Sequence, residues 1–329
     1  MKSPEEIKNI AIQVIEDEKK AIENMASLIN EDFTKAVQTI FLSHGRVIVT
    51  GIGKSANIGS KIVSTLNSTG TPALFMHAAD AIHGDLGMVQ KEDVVICISK
   101  SGNTPEIKVL VPLIKSFGNT LIAMVGNTQS FLAQQADLIL DTTVEREATP
   151  NNLAPTSSTT AQLVMGDALA VALIECRDFT ARDFARYHPG GALGKQLYLR
   201  VDDLYRQNAR TMVTPETSFR NTILEISSQR LGCTVVVENN QPVGIITDGD
   251  LRRLLNEGTS IDDCRSTTGT LTAKDIMTRN PKTIMASELA VNAMNLMRNN
   301  NITQLIVTDE AGQYLGVLHL HDIIREGII

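Results

Sequence analysis

Two short stretches gather hydroxyls, a lysine and a glutamate where a small anion could be held. In ISKSGNTPE, residues 98–106, Ser99, Ser101, Gly102 and Thr104 separate an apolar, mostly β-branched run from Pro105 and Glu106, which open a helix. In GIGKS, residues 51–55, an apolar run again ends in glycine, and Lys54 and Ser55 start the next helix. The first-turn N–H groups of a helix lack internal partners and carry the positive end of the peptide dipoles, so such turns favour phosphate. Gly102 lets the backbone come close to a ligand. A capped turn, with Ser101 or Thr104 as the cap, also accounts for the first stretch taken alone. The dipole disfavours a lysine at a helix start, so Lys54 is either solvated or matched by an anion or carboxylate. GIGKS lacks the P-loop spacing, and a dinucleotide fingerprint would need glycine at Ala56, which argues against both.

Other candidates lie further along. Glu106 sits in a first turn, where a carboxylate is comfortable on structural grounds alone. Glu147 lies in a polar loop beside Arg146, where a surface ion pair is the plain alternative. His188, in YHPGGALG, precedes a Pro-Gly-Gly turn expected to need a special backbone, and imidazole titrates near neutral pH, which suits proton transfer. His77 and His83 bracket one loop and could bind a metal, although two histidines without a third ligand are weak evidence. Ser157, Ser158, Thr159 and Thr160 precede an apolar helix expected over 161–174, and either cap it or present it to a phosphate.

The elements that must position these residues read as a β/α alternation. Apolar strands are expected at 46–51, 72–77, 93–99, 120–126 and 137–142, most of them separated by helical stretches. Continuous apolar strands alternating with helices indicate a parallel sheet covered on both faces, with ligands at the carboxyl ends of its strands. Loops 51–55 and 99–104 then share one rim. Residues 3–43 carry apolar positions at helical spacing and must pack outside the sheet or against another subunit.

The last third repeats itself: TDGDLRRLL (247–255) matches HLHDIIREG (319–327), and VVVEN (235–239) matches LIVTD (305–309). Each copy reads strand, helix, strand, strand, helix, and a unit that cannot bury both faces alone is expected to pair with its copy.

With 329 residues, 43% of them apolar, the chain is large enough for two or more domains with sizeable cores. A net charge of −7 argues against nucleic acid as a partner. Cys97, Cys176, Cys233 and Cys264 show no C-x-x-C spacing and fit buried free thiols in a reducing cytoplasm. The N-terminus has no signal-peptide pattern, and no apolar run is expected to approach the roughly 20 residues that span a bilayer.

Taken together, GIGKSANIGSK, STGTP, AIHGDLG, SKSGNTPEI, APTSSTTAQLVMGDALAVAL and FARYHPGGALGK, followed by two repeats, resemble the D-arabinose 5-phosphate isomerases over nearly the whole chain. The resemblance implies a parallel five-stranded α/β sugar-isomerase domain of flavodoxin-like type at 1–200. It implies a tandem α+β pair of CBS-type repeats at 201–265 and 270–329. The implied reaction is the interconversion of D-arabinose 5-phosphate and D-ribulose 5-phosphate through an enediol or enediolate, the first step towards the lipopolysaccharide sugar Kdo. The assembly implied is a cytoplasmic homotetramer that needs no cofactor. The family's catalytic residues fall on Lys54, Glu106, Glu147 and His188. Its substrate contacts fall on Gly70, Thr71 and His83 and on stretches near 109–118 and 143–145, and a position linked to inhibitory zinc falls on His77. A nucleotide or sugar nucleotide could bind the CBS-type pair. There the contacting Thr and Asp are present as Thr247 and Asp250 in copy one, but copy two has His319 before Asp322. Lys100 and Asn103 stand where relatives commonly carry Asn and Glu.

The roles expected from this follow the chemistry of aldose–ketose isomerisation. Ser55, Ser99, Ser101 and Thr104 hold the phosphate, with Ser157 or Thr159; Lys54 stabilises the developing enediolate. Glu147 is the base, because its loop is free to reach the rim, and Glu106 orients Lys54 or serves as a second acid or base. His188 shuttles a proton or assists ring opening, across a subunit boundary if need be. Two alternatives remain: a non-enzymatic sugar-phosphate sensor, and an isomerase of another phosphosugar on the same scaffold.

Overall fold

The computed structural model describes residues 1–256 and 271–328; Cys264 and the expected repeat boundaries at 265 and 270 lie outside them. The chain divides into two units, Met1–Tyr187 and His188–Ile329.

The first unit opens with α1 (Pro4–Met25), started by a capping box between Ser3 and Glu6, and α2 (Glu31–Leu42), capped by Asn30. Then β1 (Val47–Gly51), α3 (Lys54–Ser68), β2 (Ala73–His77), the short α4 (Ala78–Ala81), β3 (Val94–Ser99) and α5 (Pro105–Phe117) alternate. They are followed by β4 (Thr120–Val125), α6 (Phe131–Gln135), β5 (Leu138–Asp141), α7 (Ser157–Cys176) and α8 (Ala181–Tyr187). The five strands run parallel in the order β2-β1-β3-β4-β5, as the apolar runs led us to expect.

Successive strand residues serve two cores. Val47, Val49, Ile96, Ile98, Ile122 and Met124 meet α2, α3 and α7 on one face. Ile48, Val95, Cys97, Leu121 and Ala123 meet α4, α5 and α6 on the other. With both faces covered, polar alternation in the strands has no place, which is why they read as unbroken apolar runs. The strand order reverses between β1 and β3, so the crevice at their carboxyl ends is where a doubly wound sheet binds ligands.

Helix α7 begins four residues before the expected 161, so its hydroxyls form the first turn rather than a preceding loop. Contrary to expectation it is also, among the described residues, long and apolar enough to cross a bilayer. Its inner face, Ala161, Met165, Leu169 and Leu173, is instead spent on the core. Cys97 and Cys233 are buried, with thiols pushed up to about 12 by desolvation, whereas Cys176 is exposed.

The second unit begins with α9 (Ala192–Tyr198) and α10 (Val201–Tyr205) and contains two copies of one pattern. The first is β6 (Met212–Val213), α11 (Phe219–Gln229), β7 (Cys233–Glu238), β8 (Gln241–Thr247) and α12 (Asp248–Asn256). After α13 (Ala273–Ile276) and β9 (Thr278–Arg279), which extends the first sheet, come β10 (Thr283–Met285), α14 (Ala290–Asn300), β11 (Gln304–Thr308), β12 (Tyr314–His319) and α15 (Leu320–Arg325). Each copy pairs its first two strands in parallel and its last two antiparallel, as the repeat predicts. The β7–β8 turn is Asn239-Asn240, both with positive φ (49° and 66°), whereas residues 309–313 make a longer turn. That difference accounts for the change in repeat spacing.

Candidate active site

The helices of the first unit differ in how they start. Side chains of Ser3, Asn30 and Ser130 accept from first-turn N–H groups of α1, α2 and α6, but α3, α5 and α7 have no cap from their own N-cap side chain. Helices α3 and α5 follow β1 and β3 directly, so their bare first turns flank the crevice. At α3 the N-cap is Gly53 (φ 59°), Lys54 is exposed at the first position, and Ser55 Oγ donates to Oε1 of the buried Gln162 on α7 at 3.2 Å. That bond ties the first turn of α3 to α7.

The 99–104 loop is rigidly held. Ser99 Oγ accepts from Gly102 N at 3.1 Å, the Gly102 carbonyl accepts from Leu132 N at 3.0 Å, and Asn103 Oδ1 accepts from Phe131 N at 3.1 Å. Gly102 has φ 62°, and a Cβ there would stand 2.0 Å from Ser130 Oγ, so only glycine fits. Thr104 is the N-cap of α5, yet its Oγ1 is buried without a partner; Ser157 Oγ in the first turn of α7 is in the same condition, as is Thr142 Oγ1 just after β5. An unpaired buried hydroxyl costs about 1–3 kcal/mol, a cost that an arriving hydrogen-bonding ligand removes. Thr159 is different, because its hydroxyl donates to the Thr156 carbonyl at 2.9 Å.

Glu147 is neither on the surface nor free to swing, which corrects the expectation for its loop. Its side chain is fully buried. Oε2 accepts from Thr156 N at 2.8 Å, Ser158 N at 3.1 Å and Thr156 Oγ1 at 3.3 Å, so this carboxylate supplies the cap that α7 lacks locally. Oε1 accepts from Lys100 Nζ at 2.5 Å. Burial pushes the carboxyl up, but Lys100, Ser158 and the two N–H groups outweigh it and hold it at about 2. Arg146, the expected partner, pairs with Asp17 of α1 instead, at 2.7 Å. Lys100 went unassigned because nothing local links it to a glutamate 47 residues away.

The carboxyl-end rim thus collects Lys54, Ser55, Ser99, Lys100, Ser101, Gly102, Thr104 and Glu106 (half-buried in the first turn of α5), with Glu147, Ser157 and Ser158 joined to it through Lys100. Gly70 and Thr71 are not brought there: they precede β2, at the amino end of a strand roughly 16 Å long. Residues 109–117 likewise lie on α5 beyond its first turn, with Gly118 as its C-cap, away from the rim. His83 is exposed in the turn after α4. His77 ends β2, its Nδ1 3.6 Å from Asp80 Oδ2. These are two donors where a bound zinc has four, and no group of three metal-ligating side chains exists among the described residues. The set does not fit a resident zinc. His188 opens the second unit rather than closing the first. Its turn is closed by Gly191 N donating to the His188 carbonyl at 3.1 Å, and neither Gly190 nor Gly191 needs a positive φ. The glycine requirement falls instead on Gly194, where a Cβ would lie 2.1 Å from the His188 carbonyl oxygen.

In the second unit the aspartates expected to meet a nucleotide act as helix caps. Asp250 Oδ2 accepts from Thr247 N at 2.8 Å and Thr247 Oγ1 at 2.6 Å, and Asp322 Oδ2 accepts from His319 N at 2.9 Å and Asn208 Nδ2 at 2.6 Å.

Comparison with known proteins gives the following. The SIS-domain profile matches residues 40–172, and the CBS-domain profile matches 203–257 and 273–328. The chain is 46% identical over 314 residues to the arabinose 5-phosphate isomerase KdsD of Pseudomonas aeruginosa, covering 95% of this chain and 94% of that one. It is 45% identical over 319 residues to KdsD of Yersinia pestis, covering 96% and 95%. Among solved structures, the Escherichia coli CFT073 protein c3406 in complex with arabinose 5-phosphate aligns with a TM-score of 0.56 and 40% identity, over 57% of this chain and all of that one.

Proposed function

The chain belongs to the arabinose 5-phosphate isomerases built from a SIS domain and tandem CBS domains, and we infer from that membership and from the rim that it carries out their reaction. It interconverts D-arabinose 5-phosphate and D-ribulose 5-phosphate through an enediolate. The observation that carries the assignment to this site is the pair of bare first turns of α3 and α5 at one rim, with the orphaned hydroxyls of Thr104 and Ser157 beside them. A phosphate placed there satisfies both the open N–H groups and the hydroxyls.

Ser55, Ser99 and Ser101 complete the phosphate cradle in this reading. Fixing the phosphate holds the sugar's C1 and C2 against the acid and base groups, and such positioning lowers the barrier before any proton moves. Lys54, exposed at the first position of α3, places its ammonium against the oxygen that gains charge in the enediolate. Glu147 takes the proton next to the carbonyl through Oε1, while Oε2 stays anchored on α7. Glu106 serves as the second acid or base, and His188 assists ring opening or carries a proton.

We further assign the enzyme to the first step towards Kdo, to the cytoplasm and to a homotetramer. Supporting the last, α1 exposes Ile7, Ile10 and Ile15, 52%, 48% and 65% accessible, apolar side chains that a subunit interface would cover. A nucleotide or sugar nucleotide at the CBS pair is a further assignment of the same kind.

The test is to mix the purified chain with ribulose 5-phosphate and, separately, with fructose 6-phosphate, and follow both by NMR. The pentose should equilibrate with arabinose 5-phosphate and the hexose should not react. Binding without turnover would mark a sensor, and turnover of the hexose alone another isomerase.

A further inference from the structure

Glu147 poses a problem for catalysis. A carboxylate held at about 2 is a poor proton acceptor near neutral pH, where the best catalytic base has its pKa close to the working pH. Its two oxygens, however, are held in different ways. Oε2 is fixed by two backbone N–H groups and a hydroxyl at the start of α7, whereas Oε1 is held by the ammonium of Lys100.

Lys100 is placed to let go. It stands between Ser99 and Ser101, inside the loop that would cradle the phosphate. Its backbone carbonyl accepts from Gly126 N at 3.0 Å, and its stem lies along Gly126, where a Cβ would meet Lys100 Cγ at 3.3 Å. The start of the side chain is therefore fixed, while the side chain as a whole is 42% exposed against 0% for Glu147. An ammonium on a flexible stem is a point charge that can change partners without rebuilding a planar fork, as arginine would have to. A phosphate monoester carries nearly two negative charges above pH 6 against one on the carboxylate, so it is the stronger attractor once bound.

We propose that Lys100 is a positioning residue for the isomerisation: it holds Glu147 Oε1 in the free enzyme and passes to the substrate phosphate on binding, uncovering that oxygen beside the sugar. This rests on the reading of Glu147 as the base. After the transfer the carboxylate is left fully buried without its counter-charge, and burial, the largest influence on it, then acts to raise its basicity. The base is thus weak until the phosphate arrives. The other charged groups of the neighbouring elements are engaged elsewhere: Arg146 with Asp17, Glu145 with Lys20, and Glu18 with the Thr160 hydroxyl. Lys54 and Glu106 belong to the first turns of α3 and α5, and the first turn of α7 carries no acidic residue.

The experiment uses the full chain with Lys100→Met, or Lys100→Gln should the first variant not fold, and Lys100→Arg as the charge-retaining control. Steady-state rates with arabinose 5-phosphate are taken from pH 5 to 9. For the wild type the acid limb of kcat/KM should follow one proton, that of the substrate phosphate near pH 6. In the neutral variants a second proton should join that limb, because Glu147 in the free enzyme titrates higher without the Lys100 ammonium, and KM should rise at least tenfold and by more than kcat falls. Lys100→Arg should restore the one-proton limb. A neutral variant with wild-type KM and a one-proton limb overturns the proposal, as does a hundredfold loss of kcat at unchanged KM. Glu147→Gln is run beside them: if it still exchanges the sugar proton with solvent, the assignment of the base fails, whatever Lys100 does.

Discussion

Glu147 joins the loop after β5 to the start of α7, and replacing it by glutamine measures that bond. In the folded chain its carboxyl lies at about 2 against an ordinary 4.5. At about 1.4 kcal/mol per pH unit this corresponds to about 3 kcal/mol of stability. The folded value is the lower one, so the contribution is complete above the ordinary value and is lost as pH falls from about 4.5 towards 2, with about 2 kcal/mol left at pH 3.5. Glutamine keeps the size and one acceptor oxygen but not the charge, and the Lys100 ammonium left behind is exposed enough to be resolvated. The assay is hydrogen exchange with mass readout on peptides covering residues 143–165, comparing wild type and Glu147→Gln at the same pH. At pH 7 the variant should exchange on the order of a hundredfold faster in the first turns of α7, and the gap should narrow to roughly thirtyfold at pH 3.5. Equal protection at pH 7, or a gap that does not narrow in acid, would refute the capping role.

Lys54→Met should lower kcat by a hundredfold or more with KM changed only a few-fold, since its ammonium is needed where charge develops; steady-state kinetics with arabinose 5-phosphate decide. Gly102→Ala should weaken phosphate binding by at least tenfold, read as inhibition by inorganic phosphate, because the loop must move to clear Ser130. Asp93→Asn should lower the stability of the first unit by roughly 3 kcal/mol in calorimetry: the buried carboxylate accepts from Arg46 Nη2 at 2.7 Å, Arg46 N at 2.8 Å and Gln90 N at 2.8 Å.

The parallel sheet was legible because strands covered on both faces admit no polar alternation, and Val47–Gly51 and Val94–Ser99 are buried throughout. The rim followed from strand direction alone. The start of α7 was not legible. Ser157, Ser158 and Thr159 favour caps over helix interiors, and the carboxylate that lets them be helical comes from Glu147, ten residues before Ser157 in the chain. The Lys100–Glu147 pair was hidden for the same reason, since it exists only once β3 and the loop after β5 are folded together. Gly70 and Thr71 came from resemblance, and the direction of β2 sets them at the far end of the strand. His188 was legible as a residue but not in its place, because the division of the chain falls just before it.

The central claim is that a phosphopentose is fixed at this rim while a side chain removes the hydrogen beside its carbonyl. Arabinose 5-phosphate incubated with the enzyme in deuterium oxide, followed by proton NMR, tests it directly. Deuterium should appear at C1 of the ribulose 5-phosphate formed and, on the return reaction, at C2 of arabinose 5-phosphate, and both signals should disappear in Glu147→Gln. Ribulose 5-phosphate that carries no deuterium at C1 even after many cycles of interconversion, the substrate's own hydrogen having moved intact from C2, would contradict it.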